Sequence, residues 1–126
     1  MRFFSLLVLF CSQVVLAAPL VEVDPDNGRA ETVRNLDING VLYNASFDQA
    51  FGANVFDGDP AAADAAVDAL VAALNPDYLN VDNGHPPQIP VFWVLFDSVS
   101  FSGASACRSV YVSECNTGEW ANVGEL

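Results

Sequence analysis

The chain has 126 residues, 52% of them hydrophobic, with sixteen acidic side chains set against four arginines and no lysine, for a formal charge of −12. That balance repels phosphate backbones and anionic lipid headgroups, so it argues against nucleic-acid binding and favours cationic partners, or solubility alone. With a single histidine and three cysteines there is no dense set of ligands or nucleophiles at diagnostic spacing, and no metal or cofactor is expected.

The first element has the three parts of a secretory leader: Arg2 beside the start, an apolar run from Phe3 to Val15, and small residues at Ala17 and Ala18 before Pro19. The run is too short and lacks the positive flank of a stop-transfer anchor, since a helical span needs about 20 apolar residues. Residues 1–18 therefore read as a signal peptide that carries Cys11 away, with cleavage after Ala17 or Ala18. Residues 19–126 read as one acidic domain, secreted to the extracellular space or periplasm, with no stable membrane insertion. A domain of that length buries about two thirds of its extended surface on folding, enough for a modest core.

Val21 to Asp24 alternate and then meet Pro25-Asp26-Asn27-Gly28, a short strand ended by a turn. Val33 to Ile38 and Val41 to Phe47 flank Asn39-Gly40, the pair that accepts positive φ at both centres of a type I′ turn. A two-residue turn there places Ile38 opposite Val41 and Leu36 opposite Tyr43. Those four side chains share the core face, and Asn35, Asp37, Leu42 and Asn44 share the wetter one.

Phe51 to Phe56 is irregular and leads into a helix with marked ends. Asp59 is the expected N-cap, Pro60 fits N1, and Asp64 lies near the favourable end of the dipole. Ala63, Val67, Leu70 and Leu74 recur at helical spacing, Ala66 and Val71 widen the stripe, and Asn75-Pro76 stops it. So many alanines let a helix of about four turns lie close against a sheet.

Asn83-Gly84-His85-Pro86-Pro87 reads as a rigid exposed connection. From Ile89 to Phe96 both faces are apolar, with Ile89, Val91, Trp93 and Leu95 on one and Phe92, Val94 and Phe96 on the other, which suits a strand covered on both sides. Ser98 to Ala106 is small and polar enough for a turn or wide loop, followed by strand-like Ser109 to Val112 and a tail with Trp120.

Cys107 and Cys115 make an even count in an oxidising compartment, and a disulfide between them is the first reading, with free thiols or intermolecular pairing as alternatives. A continuous strand would hold their Cα atoms about 26 Å apart where a bridge wants about 5.5 Å, so residues 108–114 would have to reverse direction.

Three carboxylate groups bear a functional and a structural reading. Asp24, Asp26 and Asn27 before Gly28 loosely resemble part of a calcium loop, against an Asx-type turn. Asp57 and Asp59 flank Gly58, against simple capping. Asp64 and Asp68 are four apart on a helix face, a carboxylate pair for general acid and base work, against two charges on a wet face. For nucleophilic hydrolysis, His85 could activate Ser98, Ser100, Ser102 or Ser105, although no Gly-x-Ser-x-Gly elbow exists. Phe92, Trp93 and Phe96 read as core, and Trp120 as the better exposed aromatic. Asn44-Ala45-Ser46 fits the N-glycosylation sequon.

The run Val33 to Phe47, followed by Ala61 to Leu74 and Val91 to Phe96, resembles secreted bacterial proteins of unknown function related to those carrying a C-terminal PEP-type sorting signal. The resemblance implies secretion and gives no substrate. The sequence closes on Glu125-Leu126 without a Pro-Glu-Pro motif, so free export is expected.

The expected fold is α+β, a small antiparallel sheet with one Ala-rich helix packed on a face. The expected function is a noncatalytic secreted binding or envelope-associated module, with a small secreted hydrolase as the alternative. A cleft joining His85 to a serine and a carboxylate would mark the hydrolase; a solid core with a flat exposed Trp120 patch would mark the binding module.

Overall fold

The computed structural model describes residues 17–47, 55–81, 91–97, 100, 102–108 and 119–125. They form an α+β fold: β1 (Leu20–Val23), β2 (Ala30–Ile38), β3 (Val41–Ser46), the helix α1 (Pro60–Leu74), β4 (Val91–Asp97), β5 (Ser102–Cys107) and β6 (Ala121–Glu125). The strands divide into two three-stranded antiparallel sheets, ordered β1-β2-β3 and β4-β5-β6. The helix packs against strands of both, so one apolar cluster joins the two sheets.

The hairpin has the expected register, Ile38 opposite Val41 and Leu36 opposite Tyr43. Asn39 and Gly40 both have positive φ, at 54° and 83°, as a type I′ turn requires. Beyond the turn, strict alternation fails. The buried residues of β2 are Ala30, Val33, Leu36 and Ile38, the first three spaced by three rather than two. Two bulges make this possible. One extra residue lies between the pairs Val23–Ala30 and Glu22–Thr32, and another between Val33–Ala45 and Leu36–Tyr43. The second is turned by Asn35 at φ 59°, whose N–H donates to Asn44 Oδ1 at 3.2 Å. Each extra residue returns the next apolar side chain to the core face, so a three-residue spacing still gives a one-sided strand.

The helix begins where expected. Asp59 Oδ1 accepts from Ala62 N at 3.0 Å, Pro60 occupies the first turn, and Ala63, Ala66, Val67, Leu70 and Leu74 are buried. Asp64 falls outside the first turn, which contains no acidic residue, and the dipole is weak there. The α-helix ends at Leu74 and one 3₁₀ turn, Asn75–Asp77, follows. Tyr78 then takes a left-handed conformation, φ 52°, and Leu79 N closes on Leu74 O at 3.2 Å. From there the chain runs beside β2: Ala30 N donates to Asn80 O at 2.7 Å and Ala30 bridges Val81 in parallel.

The second sheet departs from expectation at two strands. β4 lies at the edge of the order β4-β5-β6, not centrally. Phe92, Val94 and Phe96 pack into the core, while Trp93 on the opposite face is 49% exposed. An all-apolar run cannot reveal which face is covered. The segment expected to be a loop contains the central strand β5. Its weak intrinsic strand preference is overridden because Ala104 and Ala106 join the helix-side core, where small side chains let the helix come close. Opposite Leu95, Gly103 leaves no room for a side chain: a Cβ there would stand 2.8 Å from Val94 O. Residues 109–112, expected as a strand, lie outside the described residues.

An aromatic chain seals the cluster. Phe92 meets Phe47 edge to face at 5.6 Å between centroids and Trp120 at 4.9 Å, while Tyr43 meets Phe56 at 5.3 Å. Gly58 N also donates to Phe96 O at 2.8 Å, tying the helix entry to β4.

Candidate functional site

The two tryptophans exchange their expected places. Trp120 is 3% exposed, against the expectation of a surface aromatic. Its indole N–H donates to Leu79 O at 2.8 Å, and its backbone is gripped by Asn75: Trp120 N donates to Asn75 Oδ1 at 2.7 Å, and Asn75 Nδ2 donates to Trp120 O at 3.0 Å. The Asn75 carboxamide thus substitutes for a neighbouring strand just before β6 begins. Every polar group of the buried ring and its peptide is satisfied, so burial carries little penalty. Trp93, expected in the core, instead presents its indole to solvent. Its cross-strand partner is Ser105, whose own partner on β6 is Gly124, and Leu95 faces Gly103. Gly103 and Ser105 are themselves buried, so the exposed indole stands on the edge strand and not over an open face of β5.

Asp64 and Asp68 are brought together, by a residue the sequence reading passed over. Asn122 Nδ2 donates to Asp64 Oδ1 at 2.9 Å and to Asp68 Oδ1 at 2.8 Å, while Asn122 Oδ1 accepts from Gly124 N at 2.9 Å. The amide orientation follows, because carboxylates only accept and a backbone N–H only donates. The two contacts to the aspartates fasten β6 to the outer face of the helix, and the third, within β6, orients the amide. Asn122 faces Ala106 across the ladder, and Ala106 faces the helix. Only three-dimensional pairing places that asparagine over an i,i+4 acidic pair.

The Asp24 turn is held by its own backbone. Asp24 Oδ1 accepts from Asp26 N at 2.8 Å, Asn27 Oδ1 accepts from Arg29 N at 2.9 Å, and Gly28 N donates to Asp24 O at 2.8 Å. These are Asx-type turns. Among the described residues no group of three or more His, Cys, Asp or Glu is placed to hold a metal ion.

Of the hydrolase ingredients, Ser105 is wholly buried and its hydroxyl donates to Gly124 O at 2.7 Å, which pins β5 to β6. Ser100 and Ser102 share an exposed hydroxyl contact at 3.0 Å. His85 and Ser98 lie outside the described residues. The sequon residue Asn44 is exposed, and its Oδ1 supports the β2 bulge.

Cys107 is disulfide-bonded, and Cys115, its expected partner, lies outside the described residues. Cys107 is the one cysteine described, and Cys11 falls outside with Cys115. Cys107 itself is buried at the end of β5, opposite Val91 and Ala121, and is not a free thiol. The spacing argument required a reversal over 108–114, and only Arg108 of that stretch is described. Its guanidinium donates to Tyr78 O and, at 3.2 Å, to Asn80 Oδ1, so it buttresses the turn after the helix.

Arg34 Nε donates to Glu22 Oε1 at 2.7 Å, and that hydrogen bond, with the attraction of the carboxylate, raises the arginine above its ordinary range. Among the described residues no helix is long and apolar enough to cross a membrane. No family model, curated relative or solved structure matches this chain, so its site is described by its own residues alone: an exposed indole on a sheet edge of an acidic α+β domain.

Proposed function

We propose that this chain is a noncatalytic, exported binding or envelope-associated module that takes a cationic partner through the Trp93 face. The observation that carries the reading is the inversion of the tryptophans. A fold that buries and fully hydrogen-bonds Trp120 leaves Trp93 on its surface, 49% exposed. An indole face attracts an arginine or lysine head, and a net charge of −12 draws such a partner in. The polar groups first considered for chemistry support the same reading, because Ser105, Asp64, Asp68 and Asp24 are engaged in fastening strands and turns.

Export is supported by the leader pattern of Arg2, the apolar run from Phe3 to Val15 and the small residues Ala17 and Ala18. Ala17, Ala18 and Pro19 are exposed and precede β1, so cleavage there leaves the first strand whole. Intact-mass measurement of exported protein is expected to give an N-terminus at Ala18 or Pro19; retention of Met1 in correctly exported material would refute the leader.

An arginine-rich peptide, titrated against the exported protein and followed by indole fluorescence, tests the binding face. Trp93→Ala is expected to weaken binding by roughly tenfold, the loss of one partly desolvated cation–π contact. It should change unfolding free energy by about 1 kcal/mol or less, as befits a surface position. Wild-type protein that does not bind the peptide, or a Trp93→Ala variant that binds it undiminished, would rule out this face.

A further inference from the structure

Three Asn-Gly pairs occur in the sequence, Asn27-Gly28, Asn39-Gly40 and Asn83-Gly84. At such a pair the glycine nitrogen meets no side-chain obstruction when it attacks the preceding asparagine. The nitrogen bonds to Cγ, the Cγ–Nδ2 bond breaks, and ammonia leaves with the proton displaced from the glycine. Water then opens the cyclic imide at either carbonyl, leaving aspartate or isoaspartate. The attacking nitrogen must first lose its hydrogen-bond partner and its proton.

In both described pairs that nitrogen is committed, but to different acceptors. Gly28 N donates to a backbone oxygen, Asp24 O, at 2.8 Å. Gly40 N donates to a side chain, Asp37 Oδ1, also at 2.8 Å. Asn39, Gly40 and Asp37 are all exposed, so water reaches the turn freely.

We infer that Asn39 is a latent deamidation site whose modification Asp37 suppresses, an inference independent of the binding reading. The carboxylate acts twice. Its hydrogen bond must break before Gly40 N can turn on Asn39 Cγ, and its negative charge opposes the amide anion that attacks. It does not serve as a base for the attack, because a carboxylate is far too weak a base to hold a backbone amide proton. The consequence is structural. Isoaspartate would add a backbone atom within a two-residue turn that fixes Ile38 opposite Val41, and would put a second charge beside Asp37.

The full chain, incubated at mildly alkaline pH and analysed by peptide-mapping mass spectrometry, tests this at Asn39 and Asn27 together. Asp37→Ala is expected to speed aspartate and isoaspartate formation at Asn39 by roughly tenfold, the scale of one charged hydrogen bond, with Asn27 unchanged. Should the alanine variant fail to fold by circular dichroism, Asp37→Val removes the same acceptor while favouring strand backbone, and the same rise is expected. An unchanged or slower rate at Asn39 in the folded variant would overturn the inference. So would an equal rise at Asn27, which would mean general loosening of the chain.

Discussion

Trp120→Ala is expected to lower the free energy of unfolding by about 3–5 kcal/mol, the range for deleting a large buried aromatic. The indole is 3% exposed and rests 4.9 Å from the Phe92 ring, which in turn meets Phe47 beside β3. Truncation opens a cavity where the two sheets approach each other and leaves Leu79 O without its donor. Trp120→Phe keeps one aromatic ring but loses the N–H and part of the volume; a smaller cost of about 1–3 kcal/mol is expected for the orphaned carbonyl and the smaller cavity. Urea unfolding of both variants gives the comparison. A cost for Trp120→Ala no greater than that of Trp93→Ala would contradict the assignment of Trp120 to the core.

Gly103→Ala is expected to cost roughly 1–3 kcal/mol through overpacking. The added methyl would lie 2.8 Å from Val94 O, 3.2 Å from Leu95 Cα and 3.2 Å from Leu95 Cδ2. Two of those three atoms are backbone of the neighbouring strand, so relief requires β4 to move away from β5 and weakens the ladder between them. A double-mutant cycle with Leu95→Ala identifies the cause. Shortening Leu95 removes only the flexible contact, so most of the penalty should persist in the double variant. Full recovery on shortening Leu95 would show that the leucine, not the strand backbone, is the obstacle.

Much of the first half of the chain was legible because its signals are local. Asn39-Gly40 dictates a tight turn through the φ values it tolerates, and the turn dictates the register of its flanking residues. Asp59-Pro60 and Asn75-Pro76 mark the helix ends by donor and acceptor chemistry within one or two turns of backbone. The stripe Ala63, Val67, Leu70 and Leu74 names the buried face because helical period and core contact coincide there. These rest on interactions between residues close in sequence, which composition and spacing record directly.

The second half depended on contacts that no local pattern encodes. Val91 to Phe96 is apolar on both faces, and only the helix against Phe92, Val94 and Phe96 decides that Trp93 faces water. Ser102 to Cys107 has the composition of a loop and becomes a central strand because the helix and β4 need small neighbours. Composition gives no warning that Trp93 stands out, since Phe92 and Val94 also lie opposite small residues, Ala106 and Ala104, and are packed into the core. The acidic tail around Trp120 suggests a surface position, yet Asn75, forty-five residues earlier, supplies the hydrogen bonds that draw it in. The sequence by itself determined the charge, the turn chemistry, the helix and the hairpin register, since each is a property of neighbours along the chain. Which tryptophan is buried, which strand is central and which asparagine spans the two helix aspartates were decided only by tertiary structure, because each depends on a partner that folding brings from a distant segment.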